Sequence, residues 1–262
     1  MKWRILASLV VGIGMLQASP VGNAETPGLL KRGFFMPRDS WLSIRVGYEG
    51  DFVIDERMKQ QTEGSGRVDN YEQFTNAGTF TFDFVNRLDI YGVFGSSRVN
   101  SDWRFMTGGT NQRAQLETKY DFLWGVGARA ILAQWMDAAL GLAGRYSRSH
   151  MDPVWLTING ASQSVGNSRL NWRAWNVALD ASIKVELFIP YVGVQYFNAT
   201  TKLDGVPVAI SNAGSGNLHM KNRSPVGIFV GCSLTKSEYF FLNIEGRFIN
   251  EEALSISGDL CF

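Results

Sequence analysis

From Trp41 to Asp55 the chain alternates in polarity. The even positions read Leu42, Ile44, Val46, Tyr48, Gly50, Phe52 and Ile54, while the odd ones include Ser43, Arg45, Glu49, Asp51 and Asp55. Neighbouring side chains of a strand point to opposite faces, so this pattern predicts one apolar and one polar face. The pattern recurs along the chain. Phe74, Phe80, Phe82 and Phe84 oppose Thr75, Thr79, Thr81 and Asp83. Trp175, Val177, Leu179, Ala181 and Ile183 oppose Asn176, Asp180 and Ser182. Ten strands are expected, at about 41–57, 71–85, 87–98, 116–132, 137–149, 169–185, 188–200, 220–234, 238–250 and 252–262. Several exceed the ~5–6 residues usual in globular sheets and suit tilted membrane-spanning strands, which need ~9–11.

The connections alternate as well. Short turns are expected near Asn86, Gln134 to Asp137, Glu186 to Leu187 and Thr235 to Ser237. Longer polar connections fall at 58–70, 98–116, 150–168 and 200–219. Short turns on one side and long loops on the other describe an antiparallel transmembrane β-barrel of about ten strands, over residues 41–262. Closure pairs the last strand with the first and removes the sheet edges. A soluble β-sandwich or lipocalin-like barrel is the competing all-β fold, with its apolar face turned inward.

The first residues carry a different signal. Lys2 and Arg4 precede the apolar run Ile5 to Leu16, and Gly22, Asn23 and Ala24 set small residues before a cleavage point after Ala24. Residues 1–24 are therefore expected to be a secretory signal peptide, and 25–40 a periplasmic N-terminal segment that lies in the periplasm or enters the barrel. Removing 1–24 takes away two cations, so 25 basic residues become 23 against 24 acidic ones, a formal charge of -1. That balance excludes nucleic-acid binding by bulk electrostatics. A mean hydropathy of -0.07 fits apolar and polar faces that cancel. Two cysteines exclude a disulfide scaffold or a four-thiolate zinc site. There is no P-loop, dinucleotide fingerprint or metal-ligand cluster, so no cofactor and no metal are expected.

Ordered motifs then carry a family resemblance. The run Ile44-Arg-Val-Gly-Tyr-Glu-Gly-Asp-Phe-Val-Ile-Asp-Glu-Arg57 resembles the first strand of the chlamydial major outer membrane porins. So do Asn86-Arg-Leu-Asp-Ile-Tyr-Gly-Val-Phe-Gly95, Val126-Gly-Ala-Arg-Ala130, Pro190-Tyr-Val-Gly-Val-Gln195 and the tail Ile244 to Ala253 ending at Phe262. The resemblance implies an outer-membrane diffusion channel for small hydrophilic solutes, a major surface and structural protein in contact with outer-membrane lipid, often a homotrimer. Phe262 is similar to the terminal signal read by the barrel-assembly machinery. The chain departs from the family in length and in cysteine content, so pore size does not carry over.

With the apolar set facing lipid, the polar set faces the lumen. The pore-lining candidates are Arg45, Glu49, Asp121, Arg129, Arg145, Asp180, Lys184, Glu245 and Arg247, with Asp83, Asp89 and Asp259 beside them. Such charges tune permeation in a water-filled path, or pair with one another and fill it. Ten strands ~4.8 Å apart close to a backbone diameter of roughly 20 Å, which facing side chains can fill. Gly47, Gly125, Gly127, Gly193, Gly227 and Gly231 on the polar face favour a narrow pore, or else they make room for bulky neighbours such as Tyr191 and Phe229. Trp124, Trp135, Trp175, Tyr146, Tyr196, Tyr239 and Phe240 are expected in membrane-interface girdles. A non-conducting adhesin or structural barrel presenting loops 150–168 and 200–219 is the alternative. An omptin-like protease using His150 or His219 with Asp152 or Asp204 is a minor one, because no catalytic motif accompanies those residues, and no enzyme is expected. Cys232 and Cys261, on opposite faces with one strand between, are expected not to form an internal disulfide.

Overall fold

A computed structural model describes residues 22–29, 41–61, 66–107, 109–166, 168–205, 217–235 and 239–262. Ten long strands form a closed antiparallel barrel. They are β1 (Leu42–Glu56), β3 (Arg67–Phe84), β4 (Leu88–Thr107), β6 (Asp121–Trp135), β7 (Ala138–Met151), β10 (Arg169–Ile183), β11 (Phe188–Asp204), β13 (Val226–Leu234), β14 (Phe240–Phe248) and β15 (Glu251–Cys261). Each pairs with the next around the wall, and β1 pairs with β15 to close it, from Arg45 opposite Cys261 to Glu56 opposite Glu251. All ten expected strands are present, with ends within about six residues of expectation except for β4, which runs nine residues further.

Five shorter strands rise above one rim: β2 (Met58–Gln60), β5 (Thr110–Thr118), β8 (Pro153–Ile158), β9 (Ala161–Ser162) and β12 (Asn217–Asn222). They extend the wall as hairpins, with β5 on β4, β8 on β5, and β12 bridging β11 and β2. The expected loop 98–116 is therefore a correction: β4 runs on to Thr107 and turns directly into β5. The opposite rim has short turns. Val85 (φ 56°) and Asn86 (φ 52°) are the central residues of a tight turn between the paired Phe84 and Leu88, closed by Arg87 N–H donating to the Phe84 carbonyl at 3.1 Å. Positive φ at both central positions is the turn that matches strand twist.

Burial follows the alternation, and it inverts partway up. On β10 the outward side chains read Ile183, Ala181, Leu179, Val177, Trp175, then Arg173, Asn171, Arg169. The inward ones read Ser182, Asp180, Ala178, Asn176, then Ala174, Trp172, Leu170. The lower part is apolar outside and polar inside; the upper part is the reverse. β11 changes at the same level, from Tyr196 outside and Gln195 inside to Lys202 outside and Phe197 and Leu203 inside. Nine residues from Trp175 to Ile183 at the usual rise and tilt cover roughly 23 Å, the height of a barrel's lipid belt. Within that belt large side chains stand bare, among them Phe94 (55% exposed) and Val192 (56%). An apolar surface that encircles the molecule belongs in a bilayer.

An additional short helix, α1 (Thr26–Leu29), lies inside the barrel at the short-turn end. Residues 1–21 and 30–40 of the expected signal peptide and N-terminal segment lie outside the described residues.

Candidate functional site

The interior of the barrel is the candidate site, and it is built in three layers. At the short-turn end the segment 22–29 is tied to the wall by its backbone. Gly22 N–H donates to Glu245 at 2.9 Å, and Ala24 N–H donates to Asp180 at 3.2 Å. Ser182 Oγ donates to the Glu25 carboxylate at 2.7 Å. The Arg45 guanidinium reaches the Thr26 carbonyl at 3.4 Å and Asp83 at 3.5 Å, and also pairs with Asp89. Arg129 approaches Asp89 at 3.6 Å and covers the Tyr91 ring, 4.7 Å from its centroid.

The middle layer is a buried ion network. Arg145 and Glu49 form a two-pronged pair. Arg247 is fully buried and donates to Asp51 at 2.6 Å, to Glu251 at 2.8 Å and to Ser255 at 3.3 Å, with Glu245 at 3.5 Å. Tyr191 donates to the other Glu245 oxygen at 3.0 Å and accepts from Asn243 at 2.9 Å. Burying charges costs several kcal/mol per ion unless partners surround them, and here each guanidinium has carboxylates within reach.

The third layer, level with the hairpins, is apolar. Tyr71, Val99, Trp103, Phe105, Leu116, Leu156, Leu170, Trp172, Phe197 and Leu203 form one cluster. Tyr71 Oη bonds Thr201 Oγ1 at 2.8 Å across the barrel. Between this cap and the ions lies a cavity lined by Glu49, Asp51, Gln73, Thr75, Leu123, Arg145, Ser147 and Trp172, with room for about one water molecule. Among the described residues the interior is packed from end to end.

The inward glycines account for much of that filling. A Cβ at Gly127 would stand 2.4 Å from the Tyr91 ring, at Gly231 2.3 Å from Tyr191, and at Gly193 2.3 Å from Phe229. They seat rings rather than widen a channel.

Of the residues singled out from sequence, Arg45, Glu49, Arg129, Arg145, Asp180, Glu245 and Arg247 face the interior, as do Asp83, Asp89 and Asp259. Two do not. Lys184 lies just past the end of β10 and is exposed in the turn. Asp121 stands at the upper rim, where it accepts Asp152 N–H at 2.7 Å. Four buried interior acids were missed: Glu25 on the inserted segment, and Asp51, Glu56 and Glu251 on the wall. Asp51 shares the parity of Arg45 and Glu49, a signal that was available. Glu56 turns inward because the β1–β15 register shifts between Val53 and Asp55. His150 and His219 do not meet. Register places Asn171 and Lys202 between them, so three strand spacings, ~14 Å, separate them. Cys232 faces outward on β13 and Cys261 inward on β15, with β14 between them.

No family model matches the chain. It is 25% identical to a major outer membrane porin of Chlamydia pneumoniae, over all of this chain and 99% of the relative. It is 23% identical to the serovar D major outer membrane porin of Chlamydia trachomatis, over 94% and 95%. Along its whole length the chain is similar to the chlamydial major outer membrane porins. The first alignment spans 386 positions against 262 residues here, so that porin carries sequence this chain lacks. Like the porins it matches, this chain resides in the outer membrane, which sets the short-turn rim in the periplasm and the hairpins outside. Among solved structures it resembles an outer membrane channel from Pseudomonas putida F1, with a TM-score of 0.42 and 11% identity over 95% of this chain and 98% of that one. It also resembles the outer membrane protease OmpT of Escherichia coli, with a TM-score of 0.37 and 10% identity over 84% and 92%. At those scores the likenesses carry no functional argument.

Proposed function

We propose that the chain is an outer-membrane porin-like barrel that lets small hydrophilic solutes diffuse passively and also serves as a surface and structural protein of the envelope. One observation carries the reading: a lipid belt encloses a column of interior charges, Arg45, Glu49, Arg129, Arg145, Asp180, Glu245 and Arg247. Apolar packing would fill a purely structural barrel at less desolvation cost. The packed form is the closed state of that channel. Passage requires the segment that follows the expected cleavage point, residues 25–29, to leave the periplasmic mouth and the cross-lumen pair to part. Phe262, whose N–H donates to the Ile44 carbonyl at 2.9 Å, is the assembly signal offered to the barrel-assembly machinery. Trimer formation belongs to the reading through family similarity alone.

The second reading is a non-conducting surface barrel, and the packed interior favours it. Planar-bilayer recording of the refolded full chain decides between them. Stable single-channel steps, made several-fold more frequent by deleting residues 25–40, support the porin. Silence at every voltage, with and without the deletion, supports the structural barrel. The lack of a catalytic motif around His150, His219, Asp152 and Asp204 supports a non-enzymatic protein in either case. Cleavage of a basic peptide that ceased on replacing His219 would overturn that.

A further inference from the structure

Outside the barrel, just above the lipid belt, cations stand in a row that nothing in the protein neutralises. Register sets Arg148 opposite Arg173, Arg173 opposite Thr200, Thr200 opposite Lys221 and Lys221 opposite Lys59. Arg148, Arg173, Lys221 and Lys59 all point outward and are exposed. Two of these facing pairs, Arg148 with Arg173 and Lys221 with Lys59, set like charges directly across from each other, an arrangement that destabilises a sheet. Among the described residues none of the four has a carboxylate partner. The carboxylates around them are engaged elsewhere: Glu117 with Arg98, Asp152 with Lys119 and Arg169, Asp204 with Lys202, and Glu252 with Arg57.

The position of the row says what it meets. On β7 and β10 the last outward residues of the lipid belt are Tyr146 and Trp175, which lie opposite each other. They stack on Trp124 at 5.1 Å and Tyr196 at 4.9 Å, which makes an aromatic shelf of the kind that marks the bilayer interface. Arg148 and Arg173 are the next outward residues above that shelf. Lys59 and Lys221 stand five residues beyond the last apolar positions of their own stretches, Ile54 and Val226. The row therefore climbs from the hydrocarbon edge into the headgroup layer over four strand spacings, ~19 Å.

We propose that this row is a binding site for a multiply phosphorylated lipid headgroup of the outer leaflet. Arg148 and Arg173 hold a phosphate near the acyl boundary, Lys221 and Lys59 hold one further out, and acyl chains lie on Tyr146 and Trp175. Phosphates supply the missing counter-charges, and guanidinium pairs suit them through paired donors. A soluble anion would not need the aromatic shelf, and it would gain nothing from a row that ascends from the membrane edge.

The test is binding of diphosphorylated lipid A to the full chain in neutral detergent, read by native mass spectrometry. The expected result is a bound lipid whose affinity falls about tenfold in the combined variant R148Q/R173Q/K59Q/K221Q, with dephosphorylated lipid A binding no better than it does to that variant. Heat-modified gel mobility checks that the variant is folded. If it is not, the separate R148Q/R173Q and K59Q/K221Q pairs are each expected to weaken binding part-way. Affinity unchanged by the substitutions overturns the proposal. So does displacement of the lipid by equimolar inorganic pyrophosphate, which would mark a site for free phosphate.

Discussion

Arg145 and Glu49 meet across the barrel. Their strands, β7 and β1, are not neighbours in either direction around the wall, yet the guanidinium nitrogens lie 2.8 and 2.5 Å from the two carboxylate oxygens. The pair is a strut through the lumen, and it sets the first prediction. Replacing Glu49 by Ala leaves a buried arginine unpaired and should cost about 3–5 kcal/mol of stability. Exchanging both residues for apolar ones of similar size should cost far less. Urea-unfolding midpoints in detergent distinguish the two, and equal losses would refute the strut.

Gly231 should not tolerate a side chain. A Cβ there stands 2.3 Å from the Tyr191 ring, and Tyr191 is held by Glu245 and Asn243. Gly231→Ala is expected to destabilise by about 1–3 kcal/mol through overpacking. A second change, Tyr191→Phe, removes the hydroxyl that crowds the site and should recover part of the loss. Thermal unfolding of the single and double variants measures it.

The turn at Val85 and Asn86 invites a gain. A β-branched residue at φ 56° pays a left-handed penalty that asparagine largely avoids. Val85→Asn should stabilise by about 1 kcal/mol, seen as a raised unfolding midpoint with unchanged slope. A drop in the midpoint would mean that the exposed valine makes a lipid contact worth more than the strain.

The extracellular rim should respond to acid. Asp152 is held below the ordinary carboxylate range, first by its hydrogen bond from Lys119, with Arg169 adding to it. A depressed folded-state pKa means the contact contributes above the ordinary carboxylate pKa and is lost as pH falls through the depressed value. Neutral and mildly acidic conditions should therefore leave this clasp intact. Carboxyl carbon shifts followed by NMR titration check this, and Lys119→Gln should raise the Asp152 midpoint.

The ten wall strands were legible because lipid and lumen impose opposite demands on alternate residues, as Val46 and Arg45 show. The interior charges were legible for the same reason, since parity alone places Arg145 and Arg247 inside. Their pairing was not. Whether Arg145 faces water or Glu49 depends on barrel curvature, and no local pattern encodes that. The hairpin strands were also hidden. Trp103 and Phe105 alternate as cleanly as Phe80 and Phe82, but they sit among Arg104, Thr107 and glycines that read as a loop. Lys184 is outside the lumen because its strand, expected to run to residue 185, ends at Ile183.

The inversion along β10 and β11 means that a single strand is written for two solvents. Below Trp175 it is a membrane protein, with oil outside and ions within. Above Arg173 it is an ordinary water-soluble barrel, with oil within. The two parts answer to different agents. Bilayer thickness and acyl length act on the lower part, while urea and proteases from the medium act on the upper. The buried face of the upper part and the lipid face share no side chain, so a substitution in one core leaves the contacts of the other surface untouched.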